Sequence, residues 1–230
     1  MEVRFLSRAH YTMITNPSFS IEQEYWSQDI LHIAGLDEAG MGALAGPVVA
    51  AAVVFSQEQA EAFQKETVNI PVRDSKLLSA RQREKAADLI RNRALCFAIG
   101  SASVEEIDSM NIRNASHLAM RRAIEGLTIE PAMLLIDGTS AAIHPTIFSL
   151  SLIKGDQLSY SIAAASILAK VTRDAILQKL DVEFPAYGFA SHKGYGAAIH
   201  MAALKEHGAT AHHRKSYAPV ARALETLTKS

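Results

Sequence analysis

No stretch limits the fold of this chain more than LHIAGLDEAGMGALAGPVVAAAVVF, residues 31–55. It runs through an apolar segment, two acids, a glycine-rich turn and a second apolar segment. Leu31 to Leu36 reads as a buried strand, and Asp37 and Glu38 fall where that strand should end. Gly40 and Gly42 free the backbone to bend sharply. Pro47 can open the next strand, where its missing N–H is tolerated. Val48 to Phe55 carries no charge and is rich in valine and alanine, as a strand covered on both faces would be. Two adjacent carboxylates at the mouth of a buried hairpin are costly unless a cation meets them.

Composition narrows the classes. A chain of 230 residues can build one substantial core with a small appended lobe. A formal net charge of -1 gives no global pull toward nucleic acid or membrane, so any polyanion-binding surface has to be local. No apolar run approaches the roughly 20 residues needed to cross a bilayer, and no membrane partner is expected. The single cysteine, Cys96, excludes an internal disulfide and suits a reducing cytosol, so a cytoplasmic location is expected. It lies in ALCFAIG, where a buried small hydrophobe is the simpler reading than a reactive thiol. Met1–Asp29 has no sustained apolar stretch and is not a secretory signal. It reads as an irregular lead-in (residues 1–30) in which Tyr25 and Trp26 are expected to dock on the core.

Further along, Ser56–Pro71 reads as a loop with a short helix. Ser79 with Gln82 makes a capping-box pattern for a helix over Ala80–Arg93, and Ser103 with Glu106 makes another. Ala94–Ser101 is expected as the third strand. Asn111–Gly126 is amphipathic, Ala132–Ile136 is a fourth strand ending at Asp137-Gly138, and Ile143–Leu152 a fifth. Gln157–Phe184 reads as one long helix or a pair, apolar nearly all round over Ile162–Ala169 and ended by Pro185. Tyr187–Gly196 is a glycine-spaced loop, Ala197–His207 a helix capped by Gly208, and Pro219–Thr228 a last short helix. Strands first and alternating helices later predict an α/β fold with a mixed sheet over residues 31–184, and a C-terminal helical lobe over 185–230 packed on it.

Three predicted strand ends or exits carry acids: Asp37-Glu38, Asp137 and Asp156. Carboxylates clustered on one sheet rim repel each other, so they take up protons or bind metal. All-oxygen ligands favour Mg²⁺ or Mn²⁺ over zinc. The nine histidines lack paired zinc spacing: His207, His212 and His213 have no cysteine or glutamate at the usual offsets. Two hard ions about 4 Å apart would suit phosphodiester cleavage. The bland alternative for Asp137-Gly138 is a turn and nothing more. Neighbouring strand residues point to opposite faces, so Asp37 and Glu38 cannot both aim inward without a kink. Asp37 is the expected bridging ligand and Glu38 a peripheral one.

At this point the order GLDEAGMGALAGPVVAAAVV, DSKLLS, LLIDGT, KGDQLSYSIAAASILAKVTRD and YGFASHKGYG resembles bacterial ribonuclease HII, over about residues 31–220. The related ribonuclease HIII usually carries a larger N-terminal domain than the lead-in here. The resemblance implies a ribonuclease H-like fold with a five-stranded mixed sheet. It implies four catalytic, metal-holding carboxylates at Asp37, Glu38, Asp137 and Asp156. It implies cleavage of the RNA strand of RNA–DNA hybrids and incision 5′ to single ribonucleotides in duplex DNA, leaving a 3′-hydroxyl and a 5′-phosphate. Monomer is the default state.

The resemblance also implies how substrate is read. A Gly-Arg-Gly turn after the acids wraps the backbone at the RNA–DNA junction, and a tyrosine in His-Lys-Gly-Tyr stacks on the next sugar. The turn here is Gly40-Met41-Gly42 and the tyrosine is Tyr195. Methionine offers no donor where the family has arginine, so weaker junction binding is expected. A catalytically weakened nucleic-acid-binding protein of the same fold is the alternative this raises. Reading Gly40-x-Gly42 as a nucleotide phosphate loop is poorer, because the longer fingerprint is missing. Ser75, Lys76 and Lys193 sit inside matching motifs and are candidate substrate contacts. Lys154, Arg214 and Lys215 are candidate phosphate contacts, with solvated surface residues as the bland reading. The segment from His192 to Lys215 reads as locally basic.

Overall fold

In the computed structural model, which describes residues 16–139 and 143–227, the opening stretch forms the antiparallel pair β1 (Ile33–Ala39) and β2 (Val48–Val54). Strand β3 (Cys96–Ala102) adds antiparallel to β2, while β4 (Met133–Asp137) and β5 (Phe148–Leu152) add parallel on the other side. The result is a five-stranded mixed sheet in the order β3-β2-β1-β4-β5. Its helices are α1 (Ser20–Trp26), α2 (Gln57–Glu66), α3 (Ala80–Arg93), α4 (Val104–Met110), α5 (Ile112–Glu125), α6 (Tyr160–Glu183), the single turn α7 (Phe189–His192), α8 (Ala198–His207) and α9 (Ala218–Leu227).

The period of two in β1 and β2 divides the core. Ile33, Ala51 and Val53 face α6 and α3, whereas Ala34, Leu36, Ala50 and Ala52 face α5. Both faces are covered, which is why these strands read as uncharged runs. All seven residues of β2 are buried. Helix α6 is one helix of 24 residues, and its central residues 162–169 are buried almost all round. Ser159 caps it through its side chain. Gly35 lets it lie against β1: a Cβ there would stand 2.1 Å from the Ser161 backbone carbon. Both expected capping boxes form, and Ser56 with Gln59 makes a third ahead of α2.

The structure corrects three expectations. Strand β1 does not stop before the acids but pairs Asp37 with Ala51 and Glu38 with Ala50. Its ladder with β4 ends at Leu36–Ile136, so the acids extend past that neighbour while β2 still supports them. Strand β5 begins at Phe148 rather than Ile143. Pro145 lacks a ladder donor, and His144 Nδ1 accepts from the backbone N–H groups of Thr146 and Ile147, which favours a turn. The lead-in is not irregular throughout: α1 lies within it, with Ile21, Tyr25 and Trp26 buried. Tyr25 and Trp26 do dock on the core, and Phe19 packs its ring 5.2 Å from Phe55 and 5.1 Å from Tyr160. Residues 1–15 of the lead-in and the tail residues 228–230 lie outside the described residues.

Helix α1 is pinned by a carboxyl. Glu22 is fully buried, and its Oε1 accepts from the Ser159 hydroxyl at 2.6 Å and the Ser161 N–H at 3.1 Å. Its Oε2 has no protein partner. Burial pushes the carboxyl up from its ordinary value, so the folded chain binds this proton more tightly than the unfolded chain does. Stability from this group is therefore full below the unfolded value near 4.5 and falls as pH rises through the folded one. Glu22→Gln, which keeps the accepting oxygen, is expected to flatten that fall. Glu22→Ala is expected to cost about 1–3 kcal/mol at any pH by orphaning the Ser161 N–H and the Ser159 hydroxyl. Thermal unfolding of both variants between pH 5 and 9 checks the sign.

The C-terminal helices gather on the far half of α6. Leu177, Leu180, Tyr187, Phe189, Leu204 and Val220 form a third apolar cluster with Leu44 and Ala45 from the loop after β1. Residues expected as loop after Tyr187 include the turn α7. The Leu44 N–H donates to the Gly194 carbonyl at 2.8 Å, which ties the segment after α7 to the loop after β1. No helix among the described residues is long and apolar enough to cross a membrane.

Candidate active site

Strands β1 and β4 run parallel, so their C-terminal ends open on one rim of the sheet. Asp137 closes β4, and Asp156 follows β5 in a short 3₁₀ turn, Gly155–Gln157. The Gly155 N–H donates to Asp137 Oδ1 at 2.7 Å, tying the two acidic segments together. Asp37 and Glu38 point to opposite faces, as their adjacency requires. Asp37 meets Ser166 of α6, and Glu38 meets Ser116 of α5. Because both project past the β4 ladder, both still line one cavity of about 520 Å³ together with Asp137. Asp156 is not a lining residue of that cavity but stands beside Asp137, whose charge it feels.

The electrostatics are those of crowded carboxylates. Burial first, then the charges of Glu38 and Asp137, push Asp37 well above the usual carboxylate range. Burial and Asp137 push Glu38 up to about 7. Burial, with Asp137 and Asp74, pushes Asp156 up to about 6, and burial raises Asp137. Lys76 opposes the shift at Glu38, Asp137 and Asp156. Among the described residues, the ion pairs within 4.0 Å involve other groups. Among them, too, no three Asp, Glu, His or Cys side chains are already closed to the spacing of an ion site. The donor set is nonetheless all carboxylate, buried and short of positive charge, which fits a hard divalent cation.

The glycine turn borders the same cavity. Gly40 has φ +101°, and a Cβ there would fall 2.0 Å from Arg173 Nε, so glycine is required twice over. Met41 is 38% exposed and lines the cavity. Its carbonyl accepts from Arg214 Nη1 at 2.9 Å and from the Tyr217 hydroxyl at 2.6 Å. Tyr195 lines the cavity beside this turn, 41% exposed, with its ring 3.9 Å from where a Cβ on Gly42 would lie. Ser75 is buried and hydrogen-bonded to Ser166, and Lys76 lines the cavity.

The structure places the expected basic residues differently from one another. Arg214 cannot meet phosphate: it is fully buried and donates to the Gly46 and Met41 carbonyls. Lys193 is not on the cavity wall; its Nζ donates to the Ala190 carbonyl. Lys215 and Lys154 are exposed surface residues. The stretch from His192 to Lys215 is less basic than its residue count, because burial lowers both His200 and His213.

Residues not singled out in the sequence also shape the site. Arg173, fully buried, donates to the carbonyls of Ala45, Pro47 and Lys193 and sits 5.5 Å from the Tyr195 ring centroid. Lys170 lines the cavity and pairs with Asp174 at 2.7 Å. Both lie in AKVTRD on α6, where a basic residue inside an apolar helix was the available signal.

A family model described as Ribonuclease HII matches residues 34–220. The chain belongs to the ribonuclease HII family. The ribonuclease HII of Albidiferax ferrireducens is 49% identical over 92% of this chain and 98% of its own length. That of Acidovorax sp. strain JS42 is 53% identical over 84% of this chain and 88% of its own length. The ribonuclease H2 structure from Pyrococcus horikoshii OT3 superposes with a TM-score of 0.74 at 24% identity, covering 87% of this chain and all of that one, and shows the shared fold. This ribonuclease HII family member is accordingly an endonuclease, a hydrolase with ribonuclease H activity.

Proposed function

We propose that this chain cleaves the RNA strand of RNA–DNA hybrids and incises duplex DNA on the 5′ side of single ribonucleotides, leaving a 3′-hydroxyl and a 5′-phosphate. The observation that supports it most is the convergence of Asp37, Glu38 and Asp137 on one cavity that the Gly40-Met41-Gly42 turn and Tyr195 also line. Asp37, Glu38, Asp137 and Asp156 are the residues that would hold Mg²⁺ or Mn²⁺. Bound there, the cation supplies charge neutralisation at the scissile phosphate and a more acidic water. The protein's own groups do the rest. Lys76 balances the carboxylates before substrate arrives. The Gly40-Met41-Gly42 backbone approaches the sugar-phosphate chain closely because two of its positions lack side chains. The Tyr195 ring offers a flat face for a deoxyribose. These parts come from one chain, so a monomer is sufficient.

The test is product mapping on a duplex containing one ribonucleotide. Incision on the 5′ side with a 3′-hydroxyl is expected, and cleavage on the 3′ side would overturn the proposal. Met41→Arg is expected to lower KM about tenfold on that substrate, the size of one charged hydrogen bond regained. An unchanged KM would remove methionine as the cause of weak junction binding.

A further inference from the structure

Two buried imidazoles, His200 and His213, and a half-buried one, His192, stand behind Tyr195, and none lines the cavity. His200 and His213 are both fully buried and meet Nε2 to Nε2 at 3.0 Å. Their partners fix where the protons lie. The Thr210 N–H donates to His213 Nδ1 at 3.0 Å, so the neutral His213 ring carries its proton on Nε2. That N–H must donate to His200 Nε2, which leaves the His200 proton on Nδ1. His200 Nδ1–H then donates to the backbone carbonyl of Tyr195 at 2.8 Å. Every link has one donor and one acceptor only while both rings are neutral. Burial holds them there, lowering His200 and pushing His213 down to about 4.

The surroundings give this chain a direction. His192 stacks on His200, with ring centroids 4.6 Å apart and planes 13° from parallel. Its Nδ1 accepts from the Gly194 N–H and its Nε2 meets the Tyr187 carbonyl, so it holds the other side of the same loop. At the far end, His213 bridges to Ala45 in the loop after the glycine turn, and its neighbour Arg214 holds the Met41 carbonyl. The relay therefore runs from the turn segment to the tyrosine, whose ring stands 3.9 Å from where a Cβ on Gly42 would lie.

We infer that His200 and His213 are positioning residues: a neutral imidazole pair that fixes the Tyr195 backbone relative to the Gly40–Gly42 turn, so that the ring is set for the sugar before substrate binds. This rests on the proposed role of Tyr195 in substrate binding.

Two measurements test it. In the wild-type protein, long-range ¹H–¹⁵N NMR of the histidine side chains should show His213 protonated at Nε2 and His200 at Nδ1. Any other tautomer pair, or an imidazolium at neutral pH, overturns the relay. In kinetics on the single-ribonucleotide duplex, His200→Phe keeps the aromatic packing but removes both hydrogen bonds. It should raise KM about tenfold and leave kcat within about twofold, the scale of one buried hydrogen bond lost. His200→Gln, whose amide can donate to the same carbonyl, should recover most of the loss. In a Tyr195→Ala background, His200→Phe should raise KM no further, because the two changes act through one ring. An equal effect in that background, or a loss confined to kcat, overturns the inference. Tyr195→Ala with an unchanged KM would instead overturn the substrate role of the tyrosine, while the tautomer result still judges the relay.

Discussion

Asp37→Asn lowers kcat by at least about a thousandfold on either substrate, a loss of about 4 kcal/mol of transition-state stabilisation. The same substitution raises the melting temperature in the presence of a chelator. Both follow from one fact: Asp37 is buried beside Glu38 and Asp137, and its ionised form is disfavoured by burial and by their charges. Asparagine keeps the size, removes one of the repelling charges and removes a ligand oxygen. An ordinary structural carboxylate, paired with a cation, would behave oppositely, since its loss destabilises. Glu38→Gln is expected to show the same two signs with a smaller activity loss. It meets Ser116 on the other face of the sheet, and its environment is less strongly perturbed. Single-turnover cleavage together with thermal unfolding in chelator separates the signs. Equal activity losses at Asp37 and Glu38 would argue against ranking Asp37 as the bridging ligand.

Gly35→Ala is the second large effect, and it acts through packing. A methyl group there would lie 2.1 Å from the Ser161 carbonyl carbon and 2.4 Å from the Ile162 nitrogen. Those are backbone atoms at the first turn of α6, so no side chain can rotate away. Overpacking of this kind costs about 3 kcal/mol or more. In a chain of this size that is a fall of about 6–12 °C in melting temperature. Gly35 also stands two residues before Asp37 on the same face of β1, so the displacement reaches the site. Activity at a temperature where the variant is folded should fall as well. A melting temperature within about 2 °C of wild type would show that α6 does not lie as close to β1 as described.

Much of this was legible because it is local. The uncharged, valine-rich run over Val48–Phe55 read as a strand covered on both faces, and β2 is buried at every position. The capping boxes at Ser79 and Ser103 announced α3 and α4, since the serine hydroxyl and the Gln or Glu side chain three residues on each accept from the other residue's backbone N–H. The acids stood out in the sequence beside the apolar runs that became β1, β4 and β5. What stayed hidden depends on contacts far apart in sequence. Nothing local says that Arg214 is buried: it becomes so because the loop after β1 brings the Met41 and Gly46 carbonyls to it. Glu22 looked like part of a polar lead-in, and only the N-terminus of α6, 137 positions away, makes it an internal anchor. The pairing of the histidines in the last third was hidden for the same reason. Their pairing spans separate loops and helices, and composition counts them without seeing that burial keeps them neutral.

The central claim is that Asp37, Glu38, Asp137 and Asp156 together hold divalent cations. Calorimetric titration of Mn²⁺ into the protein without nucleic acid, repeated on Asp37→Asn and Asp137→Asn, tests it most directly. Saturable binding by the wild-type chain, weakened at least tenfold in each variant, is the predicted result. Binding that is the same in all three proteins, or cleavage that persists in chelator, would contradict it.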